Sequence, residues 1–333
     1  MLVVSGASGM LGSQIVLHAL LAGGRSVRGL YRRPESLRAV QQSWAAQGHA
    51  ALYTQVDWHQ VDLEDALAVQ EALHGADSVI HAAAIVSFRK KEEPMMRRLN
   101  PQISENIWLA ALDEGVRHAM HISSVATLSA DPKEPFISES SEQKRASLNA
   151  YGQSKYDAEM VAWRYAAEGL SMTVVHPTVI VGPSAWSDGS SLFPKTLSKG
   201  LPLVSSGSTG WVDVRDVAQF CVEHLSQERK QERYLLNGVN RSFHDVFRDL
   251  ALDLGARPPR WVAPAALLAI AWRVERLREQ LFGRKPSLTE DSVRAACAHT
   301  EYHAGKATAL GFAFRPWEET SRWVAEMHLQ IHG

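Results

Sequence analysis

Short apolar runs and longer amphipathic stretches alternate along the first half of the chain. Leu2 to Ser5 is a short apolar run closed at once by Gly6-Ala7-Ser8-Gly9-Met10-Leu11-Gly12, after which Ile15, Val16, Ala19, Leu20 and Leu21 recur at helical spacing. That pattern reads as strand, glycine-rich turn, helix. Ser26–Tyr31, Val56–Val61, Ser78–His81, His118–Ile122 and Met172–His176 read as further strands. Ile103, Ile107, Ala110 and Ala111 mark an amphipathic helix before His118, and Ala158, Val161 and Ala162 mark another after Asn149. Ser129 to Leu148 is polar and turn-rich and predicts a surface loop, and the prolines and glycine of Pro177–Pro183 end regular structure. From Leu236 onward the pattern predicts helix, with Phe243, Val246, Phe247, Leu250, Ala251 and Leu254 on one face. Pro258-Pro259 interrupts it before a second helical stretch, Ala265–Leu281. Strands alternating with helices predict an α/β chain.

The first turn carries chemistry. Gly6, Gly9 and Gly12 stand at G-x-x-G-x-x-G between a strand and a helix. Glycines so placed serve a tight turn, close approach of backbone to a pyrophosphate, and close helix–strand packing. The helix N-terminus adds free N–H groups and the positive end of a dipole. An ordinary glycine-rich turn is the alternative, and the spacing is one residue longer than the G-x-G-x-x-G fingerprint. At the end of the second predicted strand, an NAD site places an acid for the ribose and an NADP site an arginine for the 2′-phosphate. Arg32 and Arg33 occupy that end and the first acid is Glu35, which favours NADP(H) over NAD(H); two solvated arginines are the competing explanation. Asp62-Leu63 follows the third strand, where Asp62 is placed either to accept from an adenine amino group or to cap a helix. Ala82, Ala83 and Ala84 at the next strand end let a cofactor lie against the backbone, while His81 reads as a satisfied core histidine.

A second constellation lies further on. Ser123-Ser124 ends the fifth strand, where open α/β sheets place ligand contacts; a serine that merely turns the chain is the alternative. Tyr151 and Lys155 stand four residues apart, on one face of a helix. A free phenol titrates near 10, too high for ready proton exchange at neutral pH, and a neighbouring ammonium lowers it towards general acid/base use. A surface pair at ordinary helical spacing is the bland reading of the same two residues.

Composition adds limits. Hydrophobic residues at 45%, charged residues at 21% and a net charge of -1 over 333 residues describe a globular chain with no bulk signal for nucleic acid. Cys221 and Cys297 predict buried, reduced thiols, and no metal-ligand pattern stands out. The chain opens directly into Leu2–Ser5, and its longest apolar run, Ala263–Trp272, is short for a membrane span, so a cytoplasmic enzyme or binding protein is expected. Ala265–Leu281, with Arg273, Arg276 and Arg278, predicts a helix packed on its own domain in preference to one lying in a membrane interface. Trp186, Trp211, Trp261 and Trp272 are candidates either for core or for an apolar pocket.

GASGMLG, Asp62-Leu63, HAAAIVSF, ISSVATL, YGQSK, HPTVIVGP and Val212–Val217 occur in an order that resembles the extended short-chain dehydrogenase/reductase superfamily, the NAD-dependent epimerase/dehydratases. The likeness is nearest to the 3β-hydroxysteroid dehydrogenase and dihydroflavonol reductase-like branch and covers almost the whole chain. It implies a Rossmann-type doubly wound parallel sheet with a smaller, mainly helical C-terminal substrate domain. Residues 1–175 and roughly 212–238 would form the dinucleotide-binding part, 176–211 and 239–333 the substrate part. By the family pattern Gly6, Ser8, Gly9, Met10, Leu11 and Gly12 cradle the pyrophosphate, Arg32 or Arg33 reads the ribose phosphate, and Asp62 and Leu63 flank adenine. Ala82–Ala84 and Pro177, Thr178 and Val179 line the rest of the cofactor site. Tyr151 is the general acid/base, Lys155 binds the nicotinamide ribose and lowers the phenol pKa, and Ser124 is the catalytic serine, with Ser123 the second choice. Asn100 matches a proton-relay position, which Pro101 beside it disturbs. The expected activity is oxidoreduction between a hydroxyl and a carbonyl on a relatively apolar small molecule, with sugar-nucleotide epimerisation or dehydration and non-catalytic dinucleotide sensing as alternatives. Homodimerisation through the two helices flanking the active site is common in the superfamily and is expected on that ground alone.

Overall fold

Seven short strands, most of them apolar on both faces, meet in one parallel sheet covered by helices on both sides. The computed structural model describes residues 1–87, 89–131, 134–183, 189–225, 231–282 and 290–332. Strands β1 (Leu2–Ser5), β2 (Val27–Tyr31), β3 (Asp57–Gln60), β4 (Ser78–His81), β5 (His118–Ile122) and β6 (Met172–Pro177) alternate with helices α1 (Met10–Ala22), α2 (Ser36–Ala46), α3 (Ala66–Leu73), α4 (Glu93–Asp113) and α5 (Ala150–Ala167). Every residue of β1, β4 and β6 is buried, as a strand covered on both faces requires. The polar edge strand β3 keeps two exposed positions and is shorter than the apolar run around it suggested. Chain order runs outward from β1 through β2 to β3, then crosses to β4 on the other side of β1 and continues through β5 and β6. That reversal opens a crevice at the carboxyl ends of β1 and β4, where sheets of this kind bind ligands.

Apolar faces of the helices account for the layers. Ile15, Val16, Val217 and Phe220 pack on one face of the sheet, and Val69, Leu73, Ile107, Trp108 and Ala162 on the other. The first set draws in α7 (Val214–His224), which follows the short helix α6 (Leu192–Ser198). Strands β7 (Val179–Val181), β8 (Leu203–Ser205) and β9 (Ser208–Asp213) lie in this stretch, and β10 (Glu232–Leu236) then returns to the main sheet beside β6. The hydrophobic pattern missed β10, because Glu232 and Arg233 give its first half the look of a loop.

Beyond β10 the chain is mainly helical, but it does not begin so. Strand β11 (Val239–Ser242) first pairs antiparallel with β9, which pairs parallel with β7. Helix α8 (Phe243–Asp253) follows, then β12 (Trp261–Ala263) paired with β8, and helices α9 (Ala265–Phe282), α10 (Glu290–Cys297), α11 (Gly305–Ala309) and α12 (Trp317–His332). Trp211 is the centre of this part's core, ringed by Phe193, Phe243, Phe247 and Trp317. It is therefore packing and not pocket, while Trp261 is 63% exposed on its strand. Trp186 lies outside the described residues.

The stretch Ser129–Leu148 is more than a surface loop. Ile137 is buried in the main core and bridges to Tyr302, and buried Glu139 accepts from the N–H groups of Leu235 and Lys306 at 3.3 and 3.1 Å. Scattered apolar residues among polar ones hid that strap, since periodicity cannot register a lone anchor. Cys221, fully buried in α7, has its thiol pushed up by burial, whereas Cys297 is half-buried; both are free. Among the described residues no helix is long and apolar enough to cross a membrane.

Candidate active site

The glycine turn is built by close contact. Gly6 sits at φ 68, and a Cβ there would lie 2.8 Å from the Ala83 backbone at the end of β4. A Cβ on Gly12 would come within 2.1 Å of the Gly6 carbonyl. Only glycine lets the loop fold back on itself while the helix starts immediately behind it. Gly9 caps α1, and its N–H donates to Gly6 O at 2.9 Å. Main-chain N–H groups at that end of the helix thus stand beside a crevice lined by Gly6, Ser8, Gly9, Arg32, Arg33, Asp62, Leu63 and Ala82–Ala84. Met10 and Leu11 begin α1; a Cβ on Gly182 would meet Met10 Sδ at 3.0 Å, so Met10 lies against the turn after β7.

Opposite the turn, Arg32 and Arg33 are exposed at the end of β2. Arg33 Nε stands 3.8 Å from Glu35, while among the described residues the Arg32 guanidinium has no ion-pair partner. The cap of α3 is Asp65, which accepts from the N–H groups of Leu67 and Ala68. Asp62 accepts from Glu64 N–H at 3.1 Å and faces the crevice. A helix start, two glycines that no Cβ could replace, and a guanidinium at the far wall suit the pyrophosphate and ribose of a dinucleotide.

A second group gathers where β5 meets α5. Asn149 caps α5 by accepting from Gly152 N–H at 2.8 Å. A Cβ on Gly152 would lie 2.4 Å from the Ala126 carbonyl, so helix and loop meet backbone to backbone. Sequence reading passed over this glycine; it stands beside Tyr151, which was the clue. Ser124 caps the 3-10 turn Val125–Thr127 and hydrogen-bonds the Tyr151 phenol. Ser123 turns the other way, donating to buried Glu159 at 2.7 Å. The structure thus puts Ser124, and not Ser123, against the phenol.

Lys155 is buried one turn beyond Tyr151, and its ammonium donates to Ile122 O at 2.6 Å. Burial lowers its pKa from 10.5 to about 8, with the charge of Glu159 opposing. The phenol departs from expectation. Burial pushes Tyr151 up, the hydrogen bond from Ser124 works against that, and the lysine's ammonium is engaged by Ile122. Asn100 is buried in α4 and makes three hydrogen bonds, with the N–H and C=O of Ile85 at 2.8 and 3.0 Å and with Ser154 Oγ at 3.1 Å. Pro101 lies within α4 without displacing it. The asparagine thereby joins crevice-lining Ile85 to the helix of Tyr151 and Lys155. Pro177 ends β6 and Thr178 is pinned beside it, 3.2 Å from Leu236 O, with Val179 opening β7. His81, between Ser5 Oγ at 2.6 Å and Ser104 Oγ at 3.0 Å, is driven down to about 3 by burial and is a neutral core residue.

The sequence model of the NAD dependent epimerase/dehydratase family matches residues 2–236, from β1 to the end of β10. The chain belongs to that family. It is a nicotinamide dinucleotide-dependent enzyme of the dehydrogenase/reductase type. Sterol demethylase protein B of Methylococcus capsulatus is 28% identical over 299 residues, 87% of this chain and 86% of that protein. Dihydroflavonol 4-reductase of Arabidopsis thaliana is 29% identical over 192 residues, covering 54% of this chain and 49% of that one. Among solved structures, Thermus thermophilus UDP-glucose 4-epimerase in complex with NAD superposes with a TM-score of 0.73 at 20% identity, over 98% of both chains. At that identity the last comparison speaks for the fold alone.

Proposed function

We propose that the enzyme is an NADP(H)-dependent reductase or dehydrogenase that interconverts a hydroxyl and a carbonyl on a relatively apolar small molecule, with Tyr151 as general acid/base. The observation that carries this reading is the Tyr151 phenol hydrogen-bonded to Ser124 beside a buried lysine whose pKa is about 8. A nicotinamide held in the crevice would supply the hydride for the carbonyl carbon, or take it up in the reverse direction. Ser124 holds the substrate oxygen and Tyr151 gives it a proton, or takes one back on oxidation. Lys155 places a positive charge one helical turn from that exchange, held by the Ile122 carbonyl. Asn100 and Gly152 hold the helix of both groups against the crevice and the Ser124 turn. Orientation of this kind contributes much of the rate in a two-reactant step.

Gly6, Gly9 and Gly12 would take the pyrophosphate, Arg32 the 2′-phosphate, and Asp62 and Leu63 the adenine. The apolar substrate is supported by Val179, Ile180 and Val181 after His176-Pro177-Thr178, where sugar-nucleotide enzymes commonly carry an arginine or asparagine. The names of the sterol and flavonol relatives point the same way. Epimerisation or dehydration is the second reading, favoured by the likeness in fold to a UDP-glucose 4-epimerase. Assaying ketones and alcohols with NADPH and NADH separates the two, since only net oxidoreduction consumes the dinucleotide. Tyr151→Phe is expected to lower turnover by about 10²–10⁴-fold, the range for lost acid–base catalysis, with dinucleotide affinity intact. A variant retaining most of its rate removes the mechanism.

A further inference from the structure

Helix α5 carries a third polar residue one turn past Lys155 that the reaction above does not use. Glu159 has no solvent exposure. Its Oε2 accepts from Ser123 Oγ at 2.7 Å and His176 Nε2 at 2.9 Å and lies 3.2 Å from Thr127 Oγ1. Its Oε1 accepts from Gln143 Nε2 at 2.9 Å and Trp163 Nε1 at 3.0 Å. A buried carboxylate is costly unless paired and fully bonded, and this one is satisfied from four separate segments. Thr127 Oγ1 also lies 2.9 Å from Ser124 O, so the carboxylate holds the chain on both sides of Ser124. His176 immediately precedes Pro177-Thr178 at the end of β6.

We propose that Glu159 is a positioning residue for the reaction: its carboxylate keeps Lys155 charged and ties the Ser123–Thr127 segment, and with it Ser124, to the helix of Tyr151. This rests on the roles assigned above to Tyr151, Lys155 and Ser124. The charges around Lys155 leave Glu159 as the group that opposes its deprotonation. Burial favours the neutral amine, and His121 from β5 and His81 from β4 are imidazoles whose protonation it would oppose; both are driven down by burial. Glu159 is itself pushed up by burial, but the charge and hydrogen bond of His176, with donation from Ser123 and Trp163, more than offset this and hold it below the ordinary carboxylate range. A carboxylate so held stays ionised wherever Lys155 must be protonated. The donor set explains why glutamate stands here: aspartate is one methylene shorter, and glutamine would offer Ser123 and His176 an amide with a single acceptor.

Glu159→Gln tests the proposal, with Glu159→Asp as the charge-keeping control. In cofactor-free enzyme labelled at lysine Cε, NMR titration follows Lys155 directly, its signal assigned by Lys155→Met. The expected result is a Lys155 midpoint lowered by about one pH unit in Glu159→Gln, a size ordinary for the loss of a nearby charge. The basic limb of kcat should move with it, and Glu159→Asp, which keeps the charge though not the full donor set, should return the midpoint and the limb but not the full kcat. An unchanged midpoint in a folded Glu159→Gln overturns the proposal, as does a variant that only melts at a lower temperature. If Glu159→Gln does not fold, Ser123→Ala tests the tether: kcat should fall about tenfold, or about 1.4 kcal/mol, with KM for NADPH and the Lys155 midpoint unmoved. Unchanged kcat there overturns it. The NMR midpoint is read without turnover, so its failure is distinct from that of the Tyr151 mechanism, which Tyr151→Phe decides.

Discussion

Lys155 Nζ donates to the main-chain carbonyl of Ile122 at 2.6 Å, joining the middle of one active-site turn of helix to the last residue of β5. The lysine is buried, so the folded protein gives up its proton near 8 where the unfolded chain keeps it to about 10.5. Between those values the unfolded state binds more protons, and stability attributable to this group rises with pH. Below pH 8 the buried ammonium is a standing cost, which fades as pH climbs towards 10.5. Unfolding of wild type and Lys155→Met by urea across pH 7 to 11 should show the difference drifting in favour of wild type by about 3 kcal/mol, the equivalent of the pKa gap. A flat difference would mean that the ammonium is not buried in solution.

Two adjacent serines are separated by which way each faces. Ser124 bonds the phenol, whereas Ser123 bonds Glu159. Ser124→Ala should lower kcat by about 10²-fold, as for one donor lost at a reacting oxygen, while Ser123→Ala costs about tenfold through looser support. Steady-state kinetics with any accepted ketone checks the order. Equal losses would place both hydroxyls in the same role.

Gly152 supplies a purely geometric test. A methyl at this position meets the Ala126 carbonyl at 2.4 Å, and neither the helix nor the turn has a flexible side chain to move aside. Gly152→Ala must push Tyr151 away from Ser124. Displacement of about an ångström costs on the order of 10² in rate, and it should do so while NADPH affinity, set at the far glycine turn, stays within twofold. Loss of both together would show that the whole domain had shifted.

What could be read from the chain divides along physical lines. Strands β1, β4, β5 and β6 are buried on both faces, so each is a plain apolar run with clear ends, and the turn from Gly6 to Gly12 announces itself by composition. Tyr151, Lys155 and Ser124 stood out by helical spacing and a strand end, and the family pattern gave them their expected roles. Glu159 could not, because its five partners come from positions 123, 127, 143, 163 and 176, which only the fold brings together. Strand β10 was hidden by its charged first half, and β11 by lying inside the stretch from Leu236 that reads as helical. The phenol's pKa was misjudged for a related reason. Spacing shows that an ammonium is near, but not that burial sets the direction of the phenol's shift or that a carbonyl at 2.6 Å engages the ammonium.

On the proposed reading, cofactor choice turns on Arg32. It stands with Arg33 at the exposed end of β2 and on the crevice wall, and Arg33 has Glu35 at 3.8 Å to share its charge. The 2′-phosphate of NADP brings two negative charges and a planar-fork partner for a guanidinium, and NAD brings neither. Arg32→Ala should therefore raise the Kd for NADPH by about tenfold or more, equivalent to about 1.4 kcal/mol, and leave NADH within twofold. The wild-type preference should also weaken as salt is raised from 50 to 500 mM, since an exposed phosphate–guanidinium contact is screened. Arg33→Ala should change NADPH binding less, its charge being already shared with Glu35. Fluorescence titration of both dinucleotides against the three proteins decides the matter: equal weakening for NADPH and NADH in Arg32→Ala would show that the residue holds something common to both, and a wild type binding NADH as tightly as NADPH would place the selectivity elsewhere on the crevice wall.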